Sequence, residues 1–393
     1  MSDYSPENVG VVFSYTGGLI WEPVDGYILR GNYSRAQRAP DLTELFSNRR
    51  GDFDNFNDIC ADVTATSTET GHANCRLEPA IAAVIAADGI FEDNNNGYSP
   101  ASGNPDLTEE TADTYTLGIS IAPSFLEGFQ LAVDYYDITI TDAIIEIGNE
   151  EILAQCFASS ISFGDPNSFC DALTRDSEGQ LIEILQRQFN LNELSTNGYD
   201  VALDYLIDLK GHGNLQLTGN YTHIFKHKEK FTGIDGIEEV DNRDFNNGVF
   251  SDVATASLTW RPTDVWRIRW RTAWKGPIVD DLGRVDDHLE RFAANDALCA
   301  AGDADCITNP EVPDFLFYGS YFRHDLSVSY EMVLKNGSAL NLYGGVRNVF
   351  NDKGPLVPRT GDSAERGVAG FDSKYDGGVG RFVFLGLEMH FGG

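Results

Sequence analysis

The sequence predicts an all-β protein. The expected form is an antiparallel, up-and-down transmembrane β-barrel, here a partial barrel of about eleven strands with long extracellular loops. Three observations lead there. Apolar residues recur at every second position along many segments. The connections between segments alternate strictly between a few residues and several tens. Aromatic residues gather at segment ends. A strand shows successive side chains to opposite faces, so period-two apolarity means one greasy face and one mixed or polar face. Short turns on one rim and long loops on the other are the outer-membrane arrangement. A β-sandwich or propeller spaces its loops more evenly.

Composition is compatible with this. Among 393 residues there is no run of about 18 apolar ones, which excludes transmembrane helices. Barrel strands alternate and give no hydropathy peak. A net charge of -33 argues against a nucleic-acid partner, whose phosphates it repels. The acidity is concentrated in Gly51–Asp62, Glu92–Glu110 and Asp280–Glu290, read as solvated loop surface. Met1–Asn8 is polar and acidic, unlike a signal peptide. A membrane barrel must be exported, so the chain is expected to be the tail of a longer precursor.

The strands follow in order. Val11–Trp21 is a weaker first strand. Tyr27, Leu29 and Tyr33 alternate with Ile28, Arg30, Asn32 and Ser34. Tyr115, Leu117, Ile119 and Ile121 form one outer face. After a turn at Ser124–Gly128 come Phe129, Leu131, Val133 and Tyr135, then Tyr199, Val201, Leu203, Tyr205 and Ile207. The tight Lys210–Gly213 turn leads into Leu215, Leu217 and Tyr221. Ala254, Ala256, Leu258 and Trp260 run to the turn Pro262–Asp264, from which Trp266, Ile268, Trp270 and Trp274 leave. Leu326, Val328 and Tyr330 precede an Asn336–Gly337 turn, followed by Leu340, Leu342 and Val346. Val383, Leu385, Leu387, Met389 and Phe391 end the chain. Leu203, Leu217, Leu258, Ile268, Val328 and Leu387 are expected to face lipid. Trp21, Phe129, Trp260 and Trp266 next to short turns, and Tyr33 and Trp274 toward the long loops, fit two interfacial girdles around an apolar band ~25 Å tall.

Six cysteines fall as three local pairs, Cys60 with Cys75, Cys156 with Cys170 and Cys299 with Cys306. An even number placed close together within loops reads as disulfides in an oxidising compartment. A metal site would need CxxC spacing or histidine partners, which are missing, so no metal is expected. No catalytic constellation is visible either: there is no HExxH and no GxSxG elbow. The protein reads as a non-enzyme without a cofactor. The sharpest polar feature is Trp266–Lys275. With its tryptophans facing lipid, Arg267, Arg269, Arg271 and Lys275 face the lumen, since Arg on the lipid side at mid-membrane costs ~2–4 kcal/mol. Arg267, Arg269 and Arg271 are candidate contacts for an anionic substrate. The blander reading is that they neutralise Asp134, Asp200 and Asp204, or dock on an acidic plug. Asp52–Asp58 and Glu92–Asp106 are oxygen-rich enough for Ca²⁺ but lack EF-hand spacing, and read as solvated loops.

Four segments resemble TonB-dependent outer-membrane receptors, in the family's order. RAQRAPDLTELF at Arg35–Phe46 looks like the segment in which a strand ends in an Arg-x-Pro-x-x-x-Glu-Leu run; it carries Arg35, Arg38, Pro40 and Glu44, read as positioning the loop exit. GNPDLTEETADTYTLG at Gly103–Gly118, VRNVFNDKGP at Val346–Pro355 and the last strand Gly380–Phe391 are similar to later family segments, although Gly392 and Gly393 follow the terminal aromatic. The resemblance implies a 22-stranded barrel around an N-terminal plug, of which residues 1–393 are the C-terminal half of the barrel, with the plug and the first half absent. It also implies location in the outer membrane of a Gram-negative bacterium and contact with outer-membrane lipid. The TonB complex would be a partner through the missing plug. The implied function is active uptake of a large scarce ligand, a ferric siderophore most often, otherwise haem, cobalamin or an oligosaccharide. Two alternatives stand beside it: a passive outer-membrane porin, and a secreted acidic β-protein binding calcium or glycans.

Overall fold

The computed structural model describes all residues except 1, 4–10, 52–55, 94–97, 160, 166–167, 234–235, 246, 303–304, 309, 334–337, 358–369, 372, 376–379 and 391–393. The Asn336–Gly337 turn, Phe391 and the glycines after it therefore lie outside the described residues.

Eleven strands form one antiparallel sheet: β1 (Tyr15–Val24), β2 (Tyr27–Arg38), β3 (Glu110–Ile121), β4 (Phe129–Glu146), β5 (Gln186–Asp208), β6 (Asn214–Gly233), β7 (Asp252–Thr263), β8 (Trp266–Lys275), β9 (Tyr321–Val333), β10 (Ala339–Arg347) and β11 (Phe382–His390). Each pairs with its neighbours in sequence, so the sheet is an up-and-down meander. β1 and β11 are its edges and do not pair with each other, so the sheet is open. The first strand starts at Tyr15 and runs to Val24, a shift from the expected Val11–Trp21; Val11–Val12 pairs instead with Ser2–Asp3. The two short strands Gly236–Asp241 and Ala101–Ser102 extend the sheet beside β6 and β5.

Register turns the period-two pattern into two surfaces. Residues directly opposite in an antiparallel pair share a face. Tyr205, Leu217, Leu258, Trp270, Leu326, Val346 and Val383 form one unbroken row across seven strands. Leu203 opposite Leu131, Ile268 opposite Val328 and Leu342 opposite Leu387 lie on the same face. Among the described residues nothing covers this face: Val383 is 68% exposed and Leu387 63%. So large an uncovered apolar surface is the outer face expected of a transmembrane barrel. On β5 the apolar stretch runs from Tyr199 to Ile207, and above it that face carries Asn197, Ser195 and Glu193. The stretch measures about 30 Å along the strand, or about 23 Å at a tilt of ~40°, which matches the apolar height of a membrane barrel. The pairing of β5 with β6 shifts register at Asn197/Gly198, at this boundary.

The short turns are shaped by glycine. Gly26, between β1 and β2, has φ +80, and a Cβ there would lie 2.3 Å from the carbonyl oxygen of Ala122. That close approach lets the Ala122 amide donate to the Gly26 carbonyl at 2.7 Å, tying one hairpin turn to the next.

The opposite connections hold the helices: α1 (Leu42–Phe46), α2 (His72–Cys75) and α3 (Pro79–Asp88) between β2 and β3, α4 (Asn149–Phe157) between β4 and β5, and α5 (Leu282–Ala301) between β8 and β9. Among the described residues no helix is long and apolar enough to cross a membrane. The buried cores lie in these long connections. Phe56, Val63, Ile81, Phe91, Ile152, Phe157 and Ile184 pack together from the β2–β3 and β4–β5 loops. Phe245, Phe250, Ile278, Tyr318, Tyr321 and Tyr375 form a second core from the three later loops and the start of β9.

Candidate functional site

The polar face of the sheet is its chemically varied wall. Arg30, Gly118, Asp134, Asp200 and Thr222 make one row of it, and Asp204, Thr218, Ser257, Arg271 and Asp325 another. Arg267, Arg269 and Arg271 lie on this face, between tryptophans that point the other way. They do not neutralise Asp134, Asp200 and Asp204, contrary to the blander expectation. Register explains why, because those carboxylates sit several strands away and are met by closer donors. Arg30 Nε donates to Asp134 at 2.8 Å, Gln216 donates to Asp204 at 2.9 Å, and the Thr222 hydroxyl donates to Asp200. Arg30 reaches Asp134 across the intervening strand because Gly118 between them has no side chain; a Cβ there would fall 2.0 Å from Asp134 Oδ1. Arg269 donates to the Ser257 hydroxyl at 3.2 Å. Among the described residues no carboxylate pairs with Arg267, Arg269 or Arg271.

At the loop end of β2, the Arg-Pro-Glu segment divides between the two faces of the sheet: Arg35 shares the face of Tyr33, and Arg38 on the opposite face meets Glu44 at the strand exit. Arg35 Nε donates to Asp113 on β3 at 2.8 Å, joined by the Tyr33 hydroxyl at 2.7 Å. Arg38 bridges Glu110 on β3 and Glu44 on α1. Asp41 caps α1 by accepting from the amides of Thr43 and Glu44, while Glu44 accepts from the Asp41 amide, a reciprocal capping box. Pro40 is buried at the strand exit, where its missing N–H costs no ladder bond. Glu44 thus serves the helix cap and the strand ion pair at once.

Beyond this rim stands the first loop core. Cys60–Cys75 and Cys156–Cys170 are bonded, with Cα separations of 5.5 Å and 4.8 Å; Cys299–Cys306 closes the end of α5. All three join sequence neighbours on the long-loop rim. Asp58, expected as solvated loop or calcium ligand, is instead buried: Arg175 from the other loop donates to it at 2.9 Å. The guanidinium also lies 5.3 Å from the Phe157 ring centre and 5.9 Å from that of Phe91. The rest of Asp52–Asp58, residues 52–55, and residues 94–97 of Glu92–Asp106 lie outside the described residues. In the second core Phe245 stacks on Tyr375 with ring centres 5.3 Å apart, and Tyr318 donates to Asp280 at 2.7 Å. Burial, reinforced by that carboxylate, pushes the Tyr318 hydroxyl well above its ordinary range. Sequence reasoning missed both cores. Their signal was available as large aromatics inside otherwise polar, acidic loops.

A meandering sheet with a lipid-height apolar band, a polar inner wall and folded loops on one rim is a segment of a transmembrane β-barrel wall. The sequence matches the family described as TonB dependent receptor-like, beta-barrel over residues 2–349, and the chain belongs to the TonB-dependent receptor family. Its fold is shared with the siderophore receptor PirA from Acinetobacter baumannii (14% identity, TM-score 0.53) and with a mutant of the ferric enterobactin receptor PfeA from Pseudomonas aeruginosa (14% identity, TM-score 0.53). Another PfeA mutant, solved in complex with enterobactin, aligns at 15% identity with a TM-score of 0.51. In each case 98% of this chain is covered but 41% of the other, so the chain spans less than half the length of these receptors. Among curated proteins, none matches.

Proposed function

We propose that residues 1–393 are the C-terminal half of the barrel of an outer-membrane receptor for a large, scarce ligand, a ferric siderophore foremost. The TonB complex drives uptake through a plug domain, and the protein resides in the outer membrane of a Gram-negative bacterium. The observation that carries this reading is family membership over residues 2–349. The folded loops agree with it. Two buried cores, one tied by two disulfides, make a rigid surface suited to grasping a bulky ligand. A passive pore has no use for such preorganisation. The arginine wall supports an anionic ligand, and Arg35, Arg38, Pro40 and Glu44 serve to position the loop exit.

The test is transport by cells making the full-length receptor. Uptake of radiolabelled ferric siderophore is expected to saturate and to stop when TonB is deleted. Uptake that rises linearly with concentration and ignores TonB would overturn the proposal in favour of a pore.

A further inference from the structure

The apolar face of β8 and β9 has a polar interruption. Along β8 that face carries Trp270, Thr272 and Trp274, opposite Leu326, His324 and Phe322 of β9. Thr272 and His324 are direct partners, one step inside the loop-side girdle. That step is about 7 Å along the strand, or about 5 Å in depth at a tilt of ~40°. An ionisable ring and a hydroxyl at such a depth are costly unless they are hydrogen-bonded, and they mark function more often than accident. Trp270 Nε1 donates to Thr272 Oγ1 at 3.2 Å, and Thr272 Oγ1 lies 2.9 Å from His324 Nδ1. With Trp270 as the donor, the Thr272 hydroxyl hydrogen turns to His324 Nδ1. The neutral imidazole then carries its proton on Nε2, as a donor. Phe350, beyond β10, folds back onto this spot. Its ring centre lies 5.1 Å from that of His324 and 6.0 Å from that of Trp270, and the Val349 amide donates to the His324 carbonyl at 2.7 Å. Toward the short turns the same face is concave. A groove of about 600 Å³ runs from Leu326 through Val328 to Trp266, flanked by Leu342 and Leu385. Its floor is Gly344, opposite Val328 on β9 and Leu385 on β11, where the apolar layer lacks a side chain.

We infer that this groove is a binding site for one acyl chain of an outer-leaflet lipid, a chain that carries a hydroxyl near its carbonyl end, and that His324 recognises the hydroxyl. A concave apolar surface with a few placed polar groups is the usual form of a small-molecule site. The polar pair selects the occupant. Among the described residues nothing accepts from His324 Nε2. An unsubstituted chain fits the groove but leaves that donor facing hydrocarbon, where an unmet polar group is costly. A hydroxyl near the carbonyl end lies just below the headgroups, at the depth of Thr272 and His324. It accepts from Nε2 while the rest of the chain runs down past Leu326 and Val328. The inference rests on the reading of the apolar face as the surface that meets the membrane.

The test uses the full-length receptor, extracted into detergent and stripped of native lipid. It is mixed with equal amounts of two synthetic phosphatidylethanolamines, one with β-hydroxymyristoyl chains and the other with myristoyl chains, and examined by native mass spectrometry. The hydroxylated lipid should be retained about three- to tenfold more, the effect of one hydrogen bond. His324→Phe keeps an aromatic ring without the donor and should retain the two lipids equally. His324→Gln restores an N–H donor and should regain part of the preference. Val328→Phe fills the groove from β9 and should lower retention of both lipids, whereas Leu203→Phe, on the same face of β5, should lower neither. Equal retention by the wild type would overturn the inference in favour of an ordinary lipid annulus. So would a preference that survives in His324→Phe, or retention unchanged by Val328→Phe. Dimers that form at the expense of bound lipid would assign the groove to a second copy and overturn it too. A receptor that needs detergent but shows no preference loses only this site. One that stays soluble without detergent removes the membrane reading itself.

Discussion

At the scale of single residues, the structure separates paired charge from available charge. Arg175 and Asp58 form the most secluded ion pair described, with side chains 5% and 0% exposed. Removing one partner leaves the other charge buried and unmatched, a loss of about 3–5 kcal/mol. Asp58→Ala is therefore expected to loosen the first loop core while sparing the sheet. The check is limited proteolysis: new cleavage should appear in the β2–β3 and β4–β5 loops with the strands still resistant. Unchanged loop cleavage would show that the pair contributes little. Arg30 and Asp134 differ, because both side chains are more than a third exposed. Gly118→Val would break their contact sterically, yet solvent screening limits the charge loss to about 1 kcal/mol or less. A drop in melting temperature much greater than that of Arg30→Gln would mean that backbone crowding, rather than the ion pair, explains the glycine. Glu44→Ala removes a helix cap and one arm of the Arg38 bridge together. It should cost about 1–2 kcal/mol, seen as faster amide exchange confined to α1 and the end of β2.

At the scale of elements, strand identity lies in the alternation. A slip of one residue would turn every apolar side chain of a strand to the inner wall, so the pattern specifies both strand and register. The same rule yields an asymmetric pair of variants. Leu258→Arg places a charge on the lipid face, at a cost of ~2–4 kcal/mol at mid-membrane, whereas Asn220→Arg on the polar face should be tolerated. Membrane yields of the two variants decide this, and equal yields would refute the assignment of faces. Strands and the three local cysteine pairs were legible in the sequence because their cues are local. The loop cores were not. Ile81 comes from one loop and Phe157 and Ile184 from another, with no shared period, so the aromatics hinted at burial but only the fold brings the residues together. The polar wall was half legible: Arg271 stood out beside its tryptophans, but its place in a row with Ser257 and Asp325 comes only through the pairing of β7, β8 and β9.

At the scale of the whole molecule, the open sheet has two bare edges. Lipid cannot hydrogen-bond the unpaired backbone groups along β1 and β11, each costing several kcal/mol. A polypeptide of these 393 residues made alone should join edges with another copy or aggregate. Light scattering in detergent should show species larger than a monomer, and cells making only this polypeptide should take up no ligand. Monodisperse monomers, or ligand-dependent uptake, would contradict this.

Strands β4, β5 and β6 do not stop where the apolar band stops. From Gly198 back to Gln186, β5 continues for roughly 40 Å, still paired with β4 and β6 along much of the way. At a barrel tilt this lifts the first loop core roughly 30 Å above the apolar band. On the proposed outer-membrane placement, the protein carries its most folded surface on a stiff mast, clear of the bilayer and out among whatever sugars coat the cell. A surface displayed at that height is within reach of antibodies and other large proteins in the medium, and its two disulfides keep one fixed shape on view to them.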